Sequence, residues 1–142
     1  QERKEGFLLG LKRNGIPFDK RMIVKGIYYN SEAAKIATDN ALATGLNPTV
    51  IMYPDDYTAI SGIAYLRTLG YKVPSDISVT GFDGLDIGRT MRPSIATTKQ
   101  DSVQLGKTAA RMLLDQLNNK PLTEKFVQVP TVLLTGESVR KL

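Results

Sequence analysis

Five acidic or aromatic residues stand at or just beyond the ends of short apolar runs, and they are the residues best placed to do chemistry. Tyr28 and Tyr29 close the run 22–28 (MIVKGIY), Asp55 and Asp56 follow 49–53 (TVIMY), and Asp83 follows 77–80 (ISVT). Carboxylates can take vicinal hydroxyls with paired hydrogen bonds while an aromatic ring covers an apolar sugar face. The natural guest is a polyhydroxylated or otherwise polar small molecule. Two carboxylates such as Asp55 and Asp83 could also hydrolyse a glycosidic bond. The remaining catalytic repertoire is narrow, because the 142 residues include no His and no Cys. Thiol nucleophiles, disulfides, zinc-thiolate sites, Ser-His-Asp arrangements and His-ligated metals are excluded. No cofactor or metal is expected.

These positions are functional only if the elements bring them to one edge. The hydropathy pattern alternates short β-rich runs with longer amphipathic stretches. Residues 3–13 carry Phe7, Leu8 and Leu11 at helical spacing, and Gly15 and Pro17 end the pattern. Residues 22–28 read as a strand. Residues 31–44 place Ala33, Ala37 and Ala41 in one row, opened by Asn30 or Ser31 as cap. The continuous apolar run 49–53 marks a strand covered on both faces. Asp56 is read as the cap of a helix reaching Leu69, with Ala59, Ile60, Ile63 and Leu66 inward. Residues 77–80 form the next strand and 81–94 a loop long enough to suspect of function. A helix over 104–117 shows Leu105, Ala109, Met112 and Leu113 on one side, and 126–134 is a last strand before a polar tail.

The strand starts near 22, 49 and 76 are 27 residues apart, a step that suits a βα unit. Successive units of this kind give an α/β fold with a parallel sheet flanked by helices. In such a sheet ligands bind outside the carboxyl ends of the strands, where the five residues above would meet.

The net charge is +5, with 19 basic and 14 acidic residues. The excess is spread along the chain: eight basic against seven acidic residues over 1–60, five against three over 61–100, six against four over 101–142. A phosphate-binding face concentrates Lys and Arg in one stripe, so direct DNA contact by this segment is not expected. No apolar run approaches the ~18 residues of a membrane helix, and the charged stretch 1–14 does not read as a signal peptide. Absence of Cys suits a reducing compartment, and the expected location is cytoplasmic. The first residue is not Met, which reads as a piece of a longer chain.

The run 73–83 (VPSDISVTGFD) resembles the VPxDISVxGFD signature of the lactose-repressor/galactose-repressor family of bacterial transcription regulators. Residues 3–7 (RKEGF) resemble that family's RxxGF helix opening, and 55–62 (DDYTAISG) its NDxxAxG element. Residues 97–101 (TTKQD), followed by Leu105 and Gly106, are similar to its TTxxQ…LG segment. Four motifs in register, along almost the whole chain, carry far more weight than any one.

The resemblance implies the C-terminal part of an effector-binding region with a periplasmic-binding-protein-like type I fold of two lobes. Residues 1–95 would form most of the Rossmann-like C-terminal lobe. Residues 96–125 would cross over and supply a helix to the N-terminal lobe, and 126–142 would return as a strand and tail. The DNA-binding domain would precede residue 1. The implied partners are a small effector of the carbohydrate kind, operator DNA through that absent domain, and a second copy in a homodimer. An exported sugar-binding protein for transport shares the fold and stands as the alternative.

Matched residue by residue, the resemblance sets Arg3 at that family's arginine that contacts effector hydroxyls and Asp83 at its aspartate that accepts from the ligand. Tyr29 falls where an aromatic often stacks, and Gln100 at the crossover beside the cleft. Asp55 stands where the family usually has Asn. An amide donates and accepts while a carboxylate only accepts, so this departure bears on which ligand is taken. Gly84 replaces a common second Asp, and Gly136 a usual Arg. Asp55 reads equally as a turn residue, Arg3 as a surface residue, and Gln100 as a brace of the crossover.

Overall fold

Caps and buried side chains set the elements of the computed structural model, which describes residues 2–121 and 124–140. Leu122 and Thr123, in the expected crossover segment, lie outside the described residues. The order is α1 (Glu2–Arg13), a 3-10 turn (Lys20–Met22), α2 (Ser31–Leu42), β1 (Val50–Met52), α3 (Asp56–Thr68), β2 (Ser78–Asp83), α4 (Asp86–Thr90), β3 (Ala96–Gln100), α5 (Ser102–Leu117) and β4 (Thr131–Leu134). Asn30 accepts from the Ala33 N–H at 2.8 Å and Asp101 from the Gln104 N–H at 2.9 Å. Each cap satisfies a donor that the first helical turn would otherwise leave unpaired.

The sheet runs β1-β2-β3-β4, parallel over the first three strands and antiparallel at the fourth. This is the expected α/β fold, with one antiparallel edge added. Residues 96–100, expected as a bare crossover, are a true strand that aligns Ala96 with Thr80 and Lys99 with Asp83. The pairing also extends β2 into residues 81–83, which had read as loop. α4 then occupies part of the rest of that supposed loop.

Four further expectations fail for physical reasons. Residues 22–28 form no strand: the 3-10 turn capped by Asp19 opens the segment, and among the described residues no ladder partner follows. An apolar run becomes a strand only through its hydrogen-bonded neighbour. β1 is not covered on both faces, since Val50 is 45 % and Met52 60 % exposed. On α2 the fully buried residues are Ala34 and Thr38, one position on from the expected alanine row. The last strand is shorter than 126–134, because only residues 131–134 meet β3.

The core lies between α3 and the sheet. Tyr53, Ala59, Ile63, Leu66, Ile77, Val79 and Ile95 form one buried cluster, with Ile60 packed partly against it. Thr38 donates its hydroxyl proton to the Ala34 carbonyl at 2.7 Å, so the Tyr53 phenol donates to Thr38 at 2.6 Å. Burial pushes the Tyr53 phenol above its ordinary pKa. α5 is the contrast. None of its residues is buried, and Leu113 and Leu117 stand 56 % and 70 % exposed.

Among the described residues of the polar tail, Ser138 is fully buried. It fits between the first residues of β2 and the approach to β3. Its hydroxyl donates to the Val79 carbonyl at 2.6 Å and accepts from the Ala96 N–H at 2.9 Å. Its own carbonyl accepts from Val79 N–H at 2.8 Å, and its N–H donates to the Ser94 carbonyl at 2.9 Å. Ser138→Ala leaves two buried backbone groups without side-chain partners. It is expected to lower unfolding free energy by about 1–3 kcal/mol in a urea titration.

Candidate functional site

The three parallel strands end on one edge, and the side chains there are joined by hydrogen bonds. Asp83, the last residue of β2, is the centre. Its Oδ2 accepts from the Tyr29 phenol and its Oδ1 from Gln100 Nε2 at 2.6 Å. Tyr29 belongs to the turn before α2, and Gln100 is the last residue of β3. Three segments distant in sequence therefore meet on one carboxylate. The hydrogen bond to Asp83 is the main cause that pushes the Tyr29 phenol up to about 12, so Tyr29 acts as a donor across the neutral range. Asp83 has φ 112° and Tyr29 φ 52°, values that residues with a Cβ adopt at a cost.

Arg3, in the first turn of α1, lies over the Phe82 ring at 3.6 Å and 5.8 Å from the Tyr28 ring centre. A guanidinium over a ring face is attracted by the ring quadrupole. Its Nη1 donates to the Pro54 carbonyl at 2.6 Å. The arginine is thus held beside the strand ends, one residue from Asp83.

The aspartate pair divides its work differently from the expectation. The cap of α3 is Asp55, whose Oδ1 accepts from Thr58 N–H at 2.7 Å, and not Asp56. Thr58 Oγ1 also donates to this carboxylate, at 2.7 Å from each oxygen. Asp55 Oδ2 accepts from the Tyr29 N–H at 3.1 Å. Capping shifted by one position because both residues are Asp and only backbone geometry distinguishes them: Asp55 is extended while Asp56 is already helical.

Asp56 is fully buried. It accepts from Leu85 N–H at 2.7 Å and from Thr97 Oγ1 at 2.6 Å, and so fastens the turn after Asp83 to both α3 and β3. A side chain at residue 81 would break this. A Cβ on Gly81 would lie 2.2 Å from Asp56 Oδ1 and 3.1 Å from its Cα. Gly81→Ala is expected to cost roughly 1–3 kcal/mol by chemical denaturation, through overpacking against a fixed carboxylate. Gly84 is equally constrained, with φ 76° and Lys99 Cβ 2.5 Å from the position its own Cβ would take. A Cβ on Gly136 would meet Ala96 N at 2.4 Å. A side chain at either position would require these neighbours to move.

Arg3, Tyr29, Asp55, Asp83 and Gln100, the residues matched to effector contacts, therefore lie together at the strand ends. Tyr29, Asp83 and Gln100 bond directly, Asp55 holds the Tyr29 backbone, and Arg3 abuts Phe82. Sequence reasoning missed Phe82 and the buried lock of Asp56 and Thr97. Phe82 was legible as the middle of GFD, facing opposite to its strand neighbours. The Asp56–Thr97 bond spans 41 positions and had no local signal. Two surface hollows lie along α5, lined by residues such as Lys107, Arg111 and Asp115. They reflect the bare face of that helix and stand apart from the strand-end cluster. Among the described residues no group of three or more acidic side chains could hold a metal ion. No described helix is long and apolar enough to cross a membrane.

Comparison with known proteins agrees with this architecture. Residues 1–139 match the family described as periplasmic binding protein-like domain. Over 137 residues the chain is 33 % identical to the HTH-type transcriptional repressor PurR of Yersinia pestis (strain Pestoides F), covering 96 % of this chain and 40 % of that protein. The protein of the same name from Vibrio vulnificus (strain CMCP6) is 27 % identical over 142 residues, all of this chain and 42 % of that one. The chain thus spans about two fifths of the length of these relatives. Among solved structures, a LacI family transcriptional regulator from Mycobacterium smegmatis superposes with a TM-score of 0.84 at 26 % identity, over 96 % of this chain and 51 % of that one. The transcriptional regulator CelR in complex with cellobiose gives 0.89 at 22 % identity, over 96 % and 42 %. The second likeness is one of fold.

Proposed function

This chain belongs to the periplasmic binding protein-like domain family, and on that footing we propose that it is the effector-sensing segment of a bacterial transcriptional regulator, a repressor like its relatives. The observation that carries the proposal is the meeting of Tyr29, Asp83 and Gln100 at the carboxyl ends of the parallel strands, with Arg3 beside them. The effector is a small polar metabolite of the carbohydrate class. Asp83 and the Gln100 amide oxygen supply acceptors, Arg3 supplies donors, and Tyr29 borders the ligand. Asp55 supports the site from behind through Tyr29. The division implied by the resemblance, a lobe body over 1–95, a link over 96–125 and a return over 126–142, is part of this proposal, with β3 (Ala96–Gln100) joined to the sheet of the body.

A ligand that binds two lobes better when closed shifts their equilibrium by its differential affinity. The strand ends near Thr97 to Gln100 are the natural hinge, since a few element-terminal residues absorb such rotations. Operator DNA is read by a region outside these 142 residues, and the working unit is a homodimer in the cytoplasm. The chain catalyses nothing: Asp55 already accepts from Thr58 and Tyr29, which leaves Asp83 without a free second carboxylate. The regulator reading is favoured over transport because the relatives bear the name of repressors.

The test is a thermal-shift screen of the complete regulator against sugars, nucleobases and phosphorylated metabolites, followed by operator titration with each hit. A polar metabolite is expected to raise Tm and change operator affinity. Turnover of a glycoside, or hits that leave operator affinity untouched, would overturn the reading.

A further inference from the structure

We propose that Tyr29 is a latch that competes with the effector for Asp83, and so sets how tightly this site takes a polyhydroxylated ligand. The inference rests on the binding role given to the cluster above. Tyr29 is held at both ends by carboxylates, its N–H on Asp55 Oδ2 at 3.1 Å and its phenol on Asp83 Oδ2. The residue therefore lies across the strand ends, from the start of α3 to the end of β2. It is 60 % exposed, so packing does little to fix the ring. The hydrogen bond to Asp83 is what keeps it there.

Both residues in that bond have a positive φ, 52° at Tyr29 and 112° at Asp83. Backbone conformations of this kind persist where surrounding interactions hold them, and they mark clamps and switches. Breaking the bond removes one of the constraints on each side.

The chemistry of the displacing group follows from the acceptors. A carboxylate only accepts, so whatever replaces the phenol must be a donor. Gln100 gives its Nε2 to Asp83 Oδ1 at 2.6 Å, and its amide oxygen is a second acceptor alongside. Two adjacent hydroxyls match this pair, one taking the place of the phenol and one reaching the Gln100 carbonyl. An anionic ligand group there would face Asp83 with like charge and is disfavoured. Because the phenol stays protonated until about pH 12, the latch opens by exchange of donors and not by its own titration near neutrality. While it is closed, only a fraction of the protein is competent to bind, and apparent affinity falls by that fraction.

The probes are D-ribose, D-glucose and myo-inositol, titrated calorimetrically into the complete protein and into its Tyr29→Phe variant. A probe that binds the parent is expected to bind Tyr29→Phe about tenfold tighter, about 1.4 kcal/mol. Equal or weaker binding by Tyr29→Phe overturns the latch and leaves the site reading standing. Binding of no probe by either protein overturns the polyhydroxyl class, and with it the latch as stated. A ligand-free measurement keeps the two separate: the 13Cζ resonance of Tyr29 is expected to move when Asp83→Asn weakens the bond. An unmoved resonance overturns the latch whatever the ligand proves to be.

Discussion

Replacing Asp83 with alanine is expected to abolish the effector response of the complete regulator while operator affinity stays within about twofold of the parent. The carboxylate joins Tyr29 and Gln100 and is the acceptor that ligand hydroxyls would meet. Removing one partner of a charged, hydrogen-bonded contact costs roughly 2–5 kcal/mol, which is about a thirtyfold to several-thousandfold loss of affinity. Alanine at φ 112° adds strain of its own, so Asp83→Asn serves as the companion variant: it keeps the shape and one oxygen. Both variants should lose affinity in calorimetric titration, alanine the more. An unchanged titration by Asp83→Ala removes this residue from the site.

The other large effect belongs to Asp56. Its carboxylate is fully buried and satisfies Leu85 N–H and Thr97 Oγ1 at once. Asp56→Ala leaves both donors without that acceptor in the interior, and the expected loss of stability is roughly 3–5 kcal/mol in urea unfolding. Asp56→Asn should recover part of it, because one amide oxygen can still accept from Leu85. The consequence reaches the site. Asp56 anchors the turn directly after Asp83, so effector affinity should fall in Asp56→Asn even where the protein remains folded. Parent-like stability in Asp56→Ala would contradict the role given to this lock.

The sequence disclosed the helices better than the strands, and the reason lies in where each signal is stored. Asn30 and Asp101 announce helix starts within three residues, and the core side of α3 follows from Ala59, Ile63 and Leu66 at helical spacing. Strands depend on partners far away. Residues 96–100 (ATTKQ) are too polar to read as a strand, yet β2 on one side and β4 on the other make them one. Residues 22–28 have the opposite fate, with an apolar pattern and no described neighbour to pair with. The site was legible as a set of residue types at run ends. Its wiring was not: the bonds from Tyr29 to Asp83 and from Asp56 to Thr97 span 54 and 41 positions. Ser138 escaped for the same reason, a small polar residue in a polar tail whose burial is decided by β2 and the approach to β3.

Hydrogen–deuterium exchange of the complete regulator, with and without the effector found by screening, tests the central claim most directly. If the strand-end cluster grips the signal, exchange should slow in the peptides that contain Tyr29, residues 83–86 and residues 97–101, while α5 follows only as far as lobe closure carries it. Slowing confined to segments remote from Asp83, with Tyr29 and Gln100 exchanging as before, would contradict the account.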